Sequence, residues 1–234
     1  MSIVAAHAPS RPAEQGADSR IAVGLIVLVI AIILAGFAKN FYLRPWLGTR
    51  PLILTAWLHG IVMTGWLVLF AAQVATVAQG RIDLHRKLGQ WGIWLAVPLV
   101  IVGLATIYVR TGINYPGATP SLSAMVFVAF DGLSLLLFGA LVGLAWRYRA
   151  RAAVHRRLMV MAMVALLPPA YGRLVAYGRK DHIEIIVVGL MLVTTIAFIA
   201  VDARRSRRLQ SATWVPGLLI VLISTAAYFA QIST

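Results

Sequence analysis

Seven long apolar stretches dominate the chain and leave little room for anything else. Each contains about 20 residues, which is enough to cross a bilayer as a helix. The predicted spans are 21–39, 52–77, 89–109, 122–146, 157–178, 184–203 and 213–231 of the 234 residues. Apolar residues make up 61% of the chain and charged residues only 12%, which excludes a water-soluble globular domain. We therefore predict an all-α integral membrane protein with seven transmembrane helices.

The first twenty residues differ from the rest because they are polar and include Glu14 and Asp18. Such a stretch is too long and too acidic for the basic start of a signal peptide. We predict a disordered cytoplasmic tail over 1–20 and a single transmembrane domain over 21–234. Any chemistry then lies in the helix bundle or at its two faces.

Basic residues are distributed unevenly between the two sides of the predicted membrane. The tail and the loops on its side carry 14 Lys and Arg, whereas the other side carries seven. Cytoplasmic loops are the ones that keep positive charge, which predicts a bacterial inner-membrane protein with its N-terminus in the cytoplasm and its C-terminus outside. The formal charge of +14 is then a topology signal that requires no nucleic acid, and the expected partners are membrane lipids.

A short motif repeats in the middle of the chain. His85, followed by Arg86, opens the third span, and His155, followed by two arginines, opens the fifth. A proline follows each histidine at the same spacing, Pro98 in the first case and Pro168 in the second. The second to fifth spans are therefore predicted to be two similar hairpins that form a four-helix core, with the other three spans around it.

Three ionisable residues lie inside predicted spans, where charge is costly and therefore indicates function. They are His59, Asp131 and Arg173, and the last two are predicted at nearly the same depth in the outer half of the bundle. One interpretation is an Asp131–Arg173 ion pair that fixes two helices, with His59 bonded to the backbone. The other is a polar pocket for a ligand, a quinone headgroup or a proton.

His59 also begins a stripe along the second span, where it is followed by Met63, Trp66, Phe70 and Gln73. This spacing places the five side chains on one face of one helix. The stripe is predicted to face protein as part of the core. Alternatively, Trp66 and Gln73 line a flat aromatic cofactor beside the imidazole.

The two repeated histidines have the chemistry of haem ligands. Low-spin b-type haem takes imidazoles from facing helices, so His85 and His155 would hold the iron while Arg86 and Arg157 bind the propionates. The alternative is a pair of interfacial His-Arg anchors whose side chains reach the lipid headgroups. The absence of cysteine excludes disulfides, thiolate zinc sites and iron–sulfur clusters.

His59-Gly60, the run from His85 to Gly89 and the run from His155 to Met159 resemble the motifs of a bacterial polytopic membrane family. Its motifs are His-Gly, His-Arg-x-Leu-Gly and His-Arg-Arg-x-Met, and the resemblance covers about residues 41–175. More distantly, the chain is similar to b-type cytochromes and to membrane proteins that assist assembly of haem-copper oxidases. That distant similarity implies proximity to haem or quinone.

Three functions remain open at this point. The first is a redox-linked protein that binds b-type haem or a quinone and takes part in electron transfer. The second is a non-catalytic accessory subunit or assembly factor of a respiratory or photosynthetic complex, or a homo-oligomer in which the polar residues only fix helix packing. The third is a small-molecule or proton carrier that uses His59, Asp131 and Arg173. The sequence does not decide whether the protein is an enzyme.

Overall fold

The computed structural model of the protein describes residues 12–47, 51–114, 122–178 and 183–232, which form helices and no strands. The helices are α1 Pro12–Phe37, α2 Arg44–Leu47, α3 Leu54–Ala78, α4 Ile82–Asn114, α5 Leu122–Arg147, α6 Ala152–Ala165, α7 Pro168–Gly178, α8 Ile183–Ser206 and α9 Ser211–Ile232. Seven stretches of the described residues are long and apolar enough to cross a membrane, with α6 and α7 together forming the fifth. The predicted seven-helix membrane fold is confirmed.

Several helices begin earlier than the hydropathy pattern predicts, and α6 among them begins at Ala152 rather than at 157. α4 begins at Ile82 rather than at 89, and Asp83 in its first turn interacts favourably with the helix dipole. α1 begins at Pro12, so residues 12–20 are helical where the sequence predicts a disordered tail. Proline suits the first helical position because its missing N–H has no partner there in any case. The rest of the predicted tail, residues 1–11, lies outside the described residues.

The two ends of the bundle differ in charge. The turns at 79–81, 148–151 and 207–210 join antiparallel helices at one end, and the residues in and around them are rich in arginine. We call this end of the bundle the basic end and the other the opposite end. α3, α5 and α8 run toward the basic end, whereas α4, α6 and α9 start from it.

The repeat in the sequence corresponds to a repeat in the structure. The starts of α4 and α6 are separated by the same offset as His85 and His155, and each helix follows an antiparallel partner, α3 or α5. Pro98 leaves α4 continuous, but Pro168 and Pro169 interrupt the fifth span. At this break the N–H groups of Leu166 and Leu167 donate to carbonyls three residues earlier, at 3.2 and 3.1 Å. These tight turns satisfy backbone groups that would be costly to leave free in a membrane.

The fifth span is the centre of the whole bundle. α6 packs against α5 and α9, while α7 packs against α1 and α8. Residues 161–168 are all buried. The second to fifth spans do pack in sequence, but the predicted four-helix core is too small because the first, sixth and seventh spans share its central helix. Small side chains such as Ala162, Ala165 and Ala170 allow this close packing on several sides.

The stripe on α3 faces protein, as predicted, with Met63, Trp66 and Phe70 buried. The indole Nε1 of Trp66 donates to the Met163 sulfur at 3.2 Å. Its ring packs edge to face on Phe138, with ring centroids 5.0 Å apart. This contact joins α3 to both α5 and α6 near the middle of the bundle.

α1 lies against α7 at a position that only glycine can occupy. A Cβ atom at Gly36 would lie 2.6 Å from the carbonyl oxygen of Ala170 and 2.8 Å from its Cα. The Tyr177 hydroxyl also donates to the Gly36 carbonyl at 3.0 Å. Any side chain at position 36 therefore pushes the two helices apart.

We predict that Gly36→Ala lowers the melting temperature in detergent, because overpacking of this kind costs about 1–3 kcal/mol. Gly24→Ala is the matched control, since it lies on the same helix and a Cβ there meets no atom within 4 Å. Because alanine is the better helix former, the control should melt at the same temperature as the unmodified protein or higher. Equal melting temperatures for the two variants would show that the contact with Ala170 does not hold α1 in place.

Candidate functional site

Four polar residues from three helices lie near one another in the half of the bundle close to the opposite end. We call Thr55, His59, Asp131 and Arg173 the aspartate cluster. Arg173 on α7 interacts electrostatically with both His59 on α3 and Asp131 on α5. Thr55 lies one turn before His59 on α3. The structure thus brings together the three ionisable residues singled out from the sequence and adds a threonine.

A glycine makes room for the histidine of this cluster. A Cβ atom at Gly103 on α4 would lie 3.1 Å from Cε1 and 3.2 Å from Nδ1 of His59. Leu135, one turn after Asp131 on α5, lies against the same glycine. α3, α4 and α5 therefore meet at Gly103, and any larger residue there would displace the imidazole.

Three atoms of the aspartate cluster are buried and have no hydrogen-bond partner in the part of the chain that the structure describes. They are Thr55 Oγ1, His59 Nδ1 and Asp131 Oδ1. The backbone nearby is satisfied, since the Thr106 hydroxyl donates to the Thr55 carbonyl at 2.9 Å. A buried polar group without a partner costs several kcal/mol in an apolar medium, so the cluster is suited to bind something polar.

Asp131 and Arg173 do not form the ion pair that one interpretation of the sequence favours. Among the described residues, no nitrogen of Arg173 is within ion-pairing distance of the Asp131 carboxylate. Instead Arg173 Nη1 donates to the Pro169 carbonyl at 2.7 Å, and its guanidinium lies 4.3 Å from the centre of the Phe37 ring. The helix break at Pro168 sets this arrangement, because α7 restarts there and its arginine reaches back to the first turn of α7 and to α1.

A π-helical turn, Ala38–Tyr42, covers this half of α3. The Phe41 ring occupies the space beside Gly60 that a Cβ atom would fill, and the hydroxyls of Tyr42 and Thr64 lie 3.0 Å apart. Turns of this type are frequent at functional sites. Nothing in the hydropathy pattern distinguishes the turn from a continuing α-helix, so the sequence did not predict it.

His85 and His155 lie side by side at the basic end, with ring centroids 6.2 Å apart and ring planes at 81°. Nδ1 of His155 lies 2.9 Å from the Ala145 carbonyl. Since a carbonyl only accepts, Nδ1 of His155 is the donor in this contact. Nδ1 of His85 is buried and has no partner among the described residues. We call these two residues the histidine pair.

Gln73 completes the surroundings of the histidine pair. Its amide nitrogen lies against α4 at Gly89, where a Cβ would approach it to 3.2 Å, and its backbone lies near His85. Its amide oxygen is buried without a partner in the described structure. Gln73 and His59 thus mark two polar positions on one helix face, with the buried Trp66 between them.

The two arginines predicted to accompany the histidines differ in their contacts. Arg86 is exposed next to His85 on α4. Arg157 instead donates from Nε to both carboxylate oxygens of Asp202 on α8, at 2.9 and 2.8 Å. Asp202 also accepts a hydrogen bond from the Thr213 hydroxyl of α9 at 2.7 Å. The sequence did not reveal this partner because it lies far along the chain and depends on how α6 and α8 are rotated.

Comparison with known proteins adds no further guide to function. No family model, curated protein or solved structure matches the chain. Within the described residues no group of three or more metal-binding side chains is present, so the histidine pair offers two imidazoles and no third such ligand. Among the described residues, the aspartate cluster and the histidine pair each bring several reactive side chains together.

Proposed function

We propose that the protein is a proton carrier in which Asp131 and His59 take up and release a proton. The observation that carries this proposal is the presence of three buried polar atoms without partners in the aspartate cluster, as far as the described residues go. Carboxylates and imidazoles inside membrane segments mark proton relays and ion pathways. A bound proton, or a water that delivers it, supplies the partner that these atoms lack.

The charges of the cluster suit repeated proton exchange. The carboxyl group of Asp131 is neutral when protonated and negative when not, and Arg173 is close enough to interact with the negative form. Because Arg173 is held by Pro169 and Phe37 and not by Asp131, the carboxylate stays free to accept a proton. A direct ion pair would hold the aspartate in its charged form instead.

A second protonatable site, the histidine pair on α4 and α6, lies beside Gln73 at the other end of α3. His59 and Gln73 are separated by about 21 Å along α3. Between them Met63, Trp66 and Phe70 are buried among apolar side chains. This apolar segment favours a carrier, in which a conformational change exposes one site at a time, over a continuous channel.

The same proposal includes the location of the protein. The seven spans together with the excess of Lys and Arg at the basic end favour the bacterial inner membrane with the basic end in the cytoplasm. The aspartate cluster then lies toward the outer face and the histidine pair toward the inner face. A proton taken up at Asp131 would come from outside the cell.

Proton flux into liposomes tests the proposal. Purified protein is reconstituted into vesicles that contain a pH-sensitive dye, and a potassium gradient with valinomycin drives proton entry. We expect the unmodified protein to give a proton flux well above that of empty vesicles. In Asp131→Asn the flux should fall about tenfold or more, because a path without the carboxyl group must carry charge through hydrocarbon at a cost of several kcal/mol.

Asp83→Asn is the matched control, since it makes the same chemical change at an exposed position on α4. This variant should keep the flux of the unmodified protein. Flux equal to that of empty vesicles for the unmodified protein would contradict the proposal. So would an Asp131→Asn variant that is as fast as the control.

A second candidate function is redox chemistry at a metal held by the histidine pair. His85 and His155, with ring centroids 6.2 Å apart, would hold the metal between their imidazoles, and the metal would supply one-electron chemistry. The bond from His155 Nδ1 to Ala145 is the orienting contact that metal-bound histidines make. If the metal is haem iron, the exposed Arg86 is available for a propionate.

Absorption spectroscopy distinguishes this candidate from the first. If the histidine pair holds haem, the protein titrated with haem b should show the Soret band of a six-coordinate complex, and either His85→Ala or His155→Ala should abolish it. His59→Ala is the control, because it removes a histidine that lies far from the histidine pair. His59 is about 21 Å along α3 from Gln73, the residue of α3 that lies beside the pair. A protein that gains no such band, or variants that bind haem as well as the control does, would exclude haem at the histidine pair.

A further inference from the structure

A cleft with a volume of about 60 Å³ opens at the basic end, on the side of α6 that faces α8 and α9. Its polar residues are three arginines and one aspartate on α6 and α8, with a threonine from α9. Its apolar residues come from α1, α6 and α8. The lining consists of Ile26, Arg156, Arg157, Val160, Phe198, Val201, Asp202, Arg205 and Thr213. We call it the arginine cleft.

The charges of the arginine cleft are not balanced. Arg157 is neutralised by Asp202, with 10% and 14% of the two side chains exposed. Arg156 lies near Arg157 and Arg205, and neither Arg156 nor Arg205 has an ion-pair partner within the described residues. Two positive charges therefore remain beside each other, and an anion placed between them would relieve their repulsion.

The other wall of the cleft is apolar. Ile26, Val160 and Phe198 line the arginine cleft and also pack beside Phe70 and Met163 in the core. A headgroup at the arginines would therefore have hydrocarbon surface directly beneath it. A free inorganic anion gains nothing from contact with an apolar surface, whereas the acyl chain of a lipid is stabilised by packing against it.

We propose that the arginine cleft binds one anionic phospholipid, with its phosphate between Arg156 and Arg205 and an acyl chain against Val160 and Phe198. Basic pockets between transmembrane helices on the cytoplasmic side are suited to such headgroups. The lipid would connect α1, α6, α8 and α9 at the end where the bundle is most basic. This site is separate from the aspartate cluster and does not depend on the proposed proton transport.

The test compares lipid retained by the purified protein in native mass spectrometry after equilibration with phosphatidylglycerol or phosphatidylcholine. We expect the unmodified protein to retain one phosphatidylglycerol and little phosphatidylcholine. In the double variant Arg156→Gln/Arg205→Gln the affinity for phosphatidylglycerol should fall roughly twenty-five-fold, since each cation contributes about a factor of five near an anionic lipid. Arg157 is left unchanged because its ion pair joins α6 to α8.

Arg81→Gln/Arg204→Gln is the matched control, because it removes two exposed arginines at the same end that do not line the cleft. The control should retain phosphatidylglycerol as the unmodified protein does. An equal loss in both double variants would mean diffuse attraction to the whole basic end and would overturn the proposal. Inorganic phosphate that displaces the lipid at equal concentration would show a free-anion site instead. Melting temperatures in phosphatidylcholine verify that both variants are folded.

Discussion

The packing of the interrupted fifth span is the constraint on which the other features depend. α6 and α7 together touch helices on every side, and the residues around the break are buried. The start of α6 places His155 beside His85, and the restart of α7 at Pro168 turns Arg173 toward Phe37 and not toward Asp131. Both candidate sites thus owe their geometry to one helix and to the prolines that divide it. The close contact of Gly36 with Ala170 holds α1 against this central element.

Hydropathy and the internal repeat predict much of this fold, because a membrane permits few choices of length and backbone pairing. The repeated motif correctly implies that His85 and His155 occupy equivalent positions, since both lie near the start of a helix in a similar hairpin. The partners of side chains are harder to predict, because they depend on helix rotation. Arg157 is an example, because the rotation of its helix lets it hydrogen-bond to Asp202 and not accompany the histidines.

The two polar sites and the arginine cleft lie in different parts of the bundle. The aspartate cluster and the histidine pair lie near opposite ends of α3, separated by the buried contact between Trp66 and Met163. That contact keeps the middle of the bundle apolar. An apolar middle fits a carrier, whereas a channel would need a continuous water-filled pore there. The arginine cleft faces a different side of α6, where a bound lipid could stabilise the fold without entering the path between the two polar sites.

The proposed proton transport requires that Asp131 changes its protonation state inside the membrane. Infrared difference spectroscopy of the protein in lipid bilayers, recorded between high and low pH, detects the C=O stretch of a newly protonated carboxyl group directly. We predict a carboxyl band that disappears in Asp131→Asn and remains in Asp83→Asn. A difference spectrum in which every carboxyl band survives the Asp131→Asn substitution would contradict it.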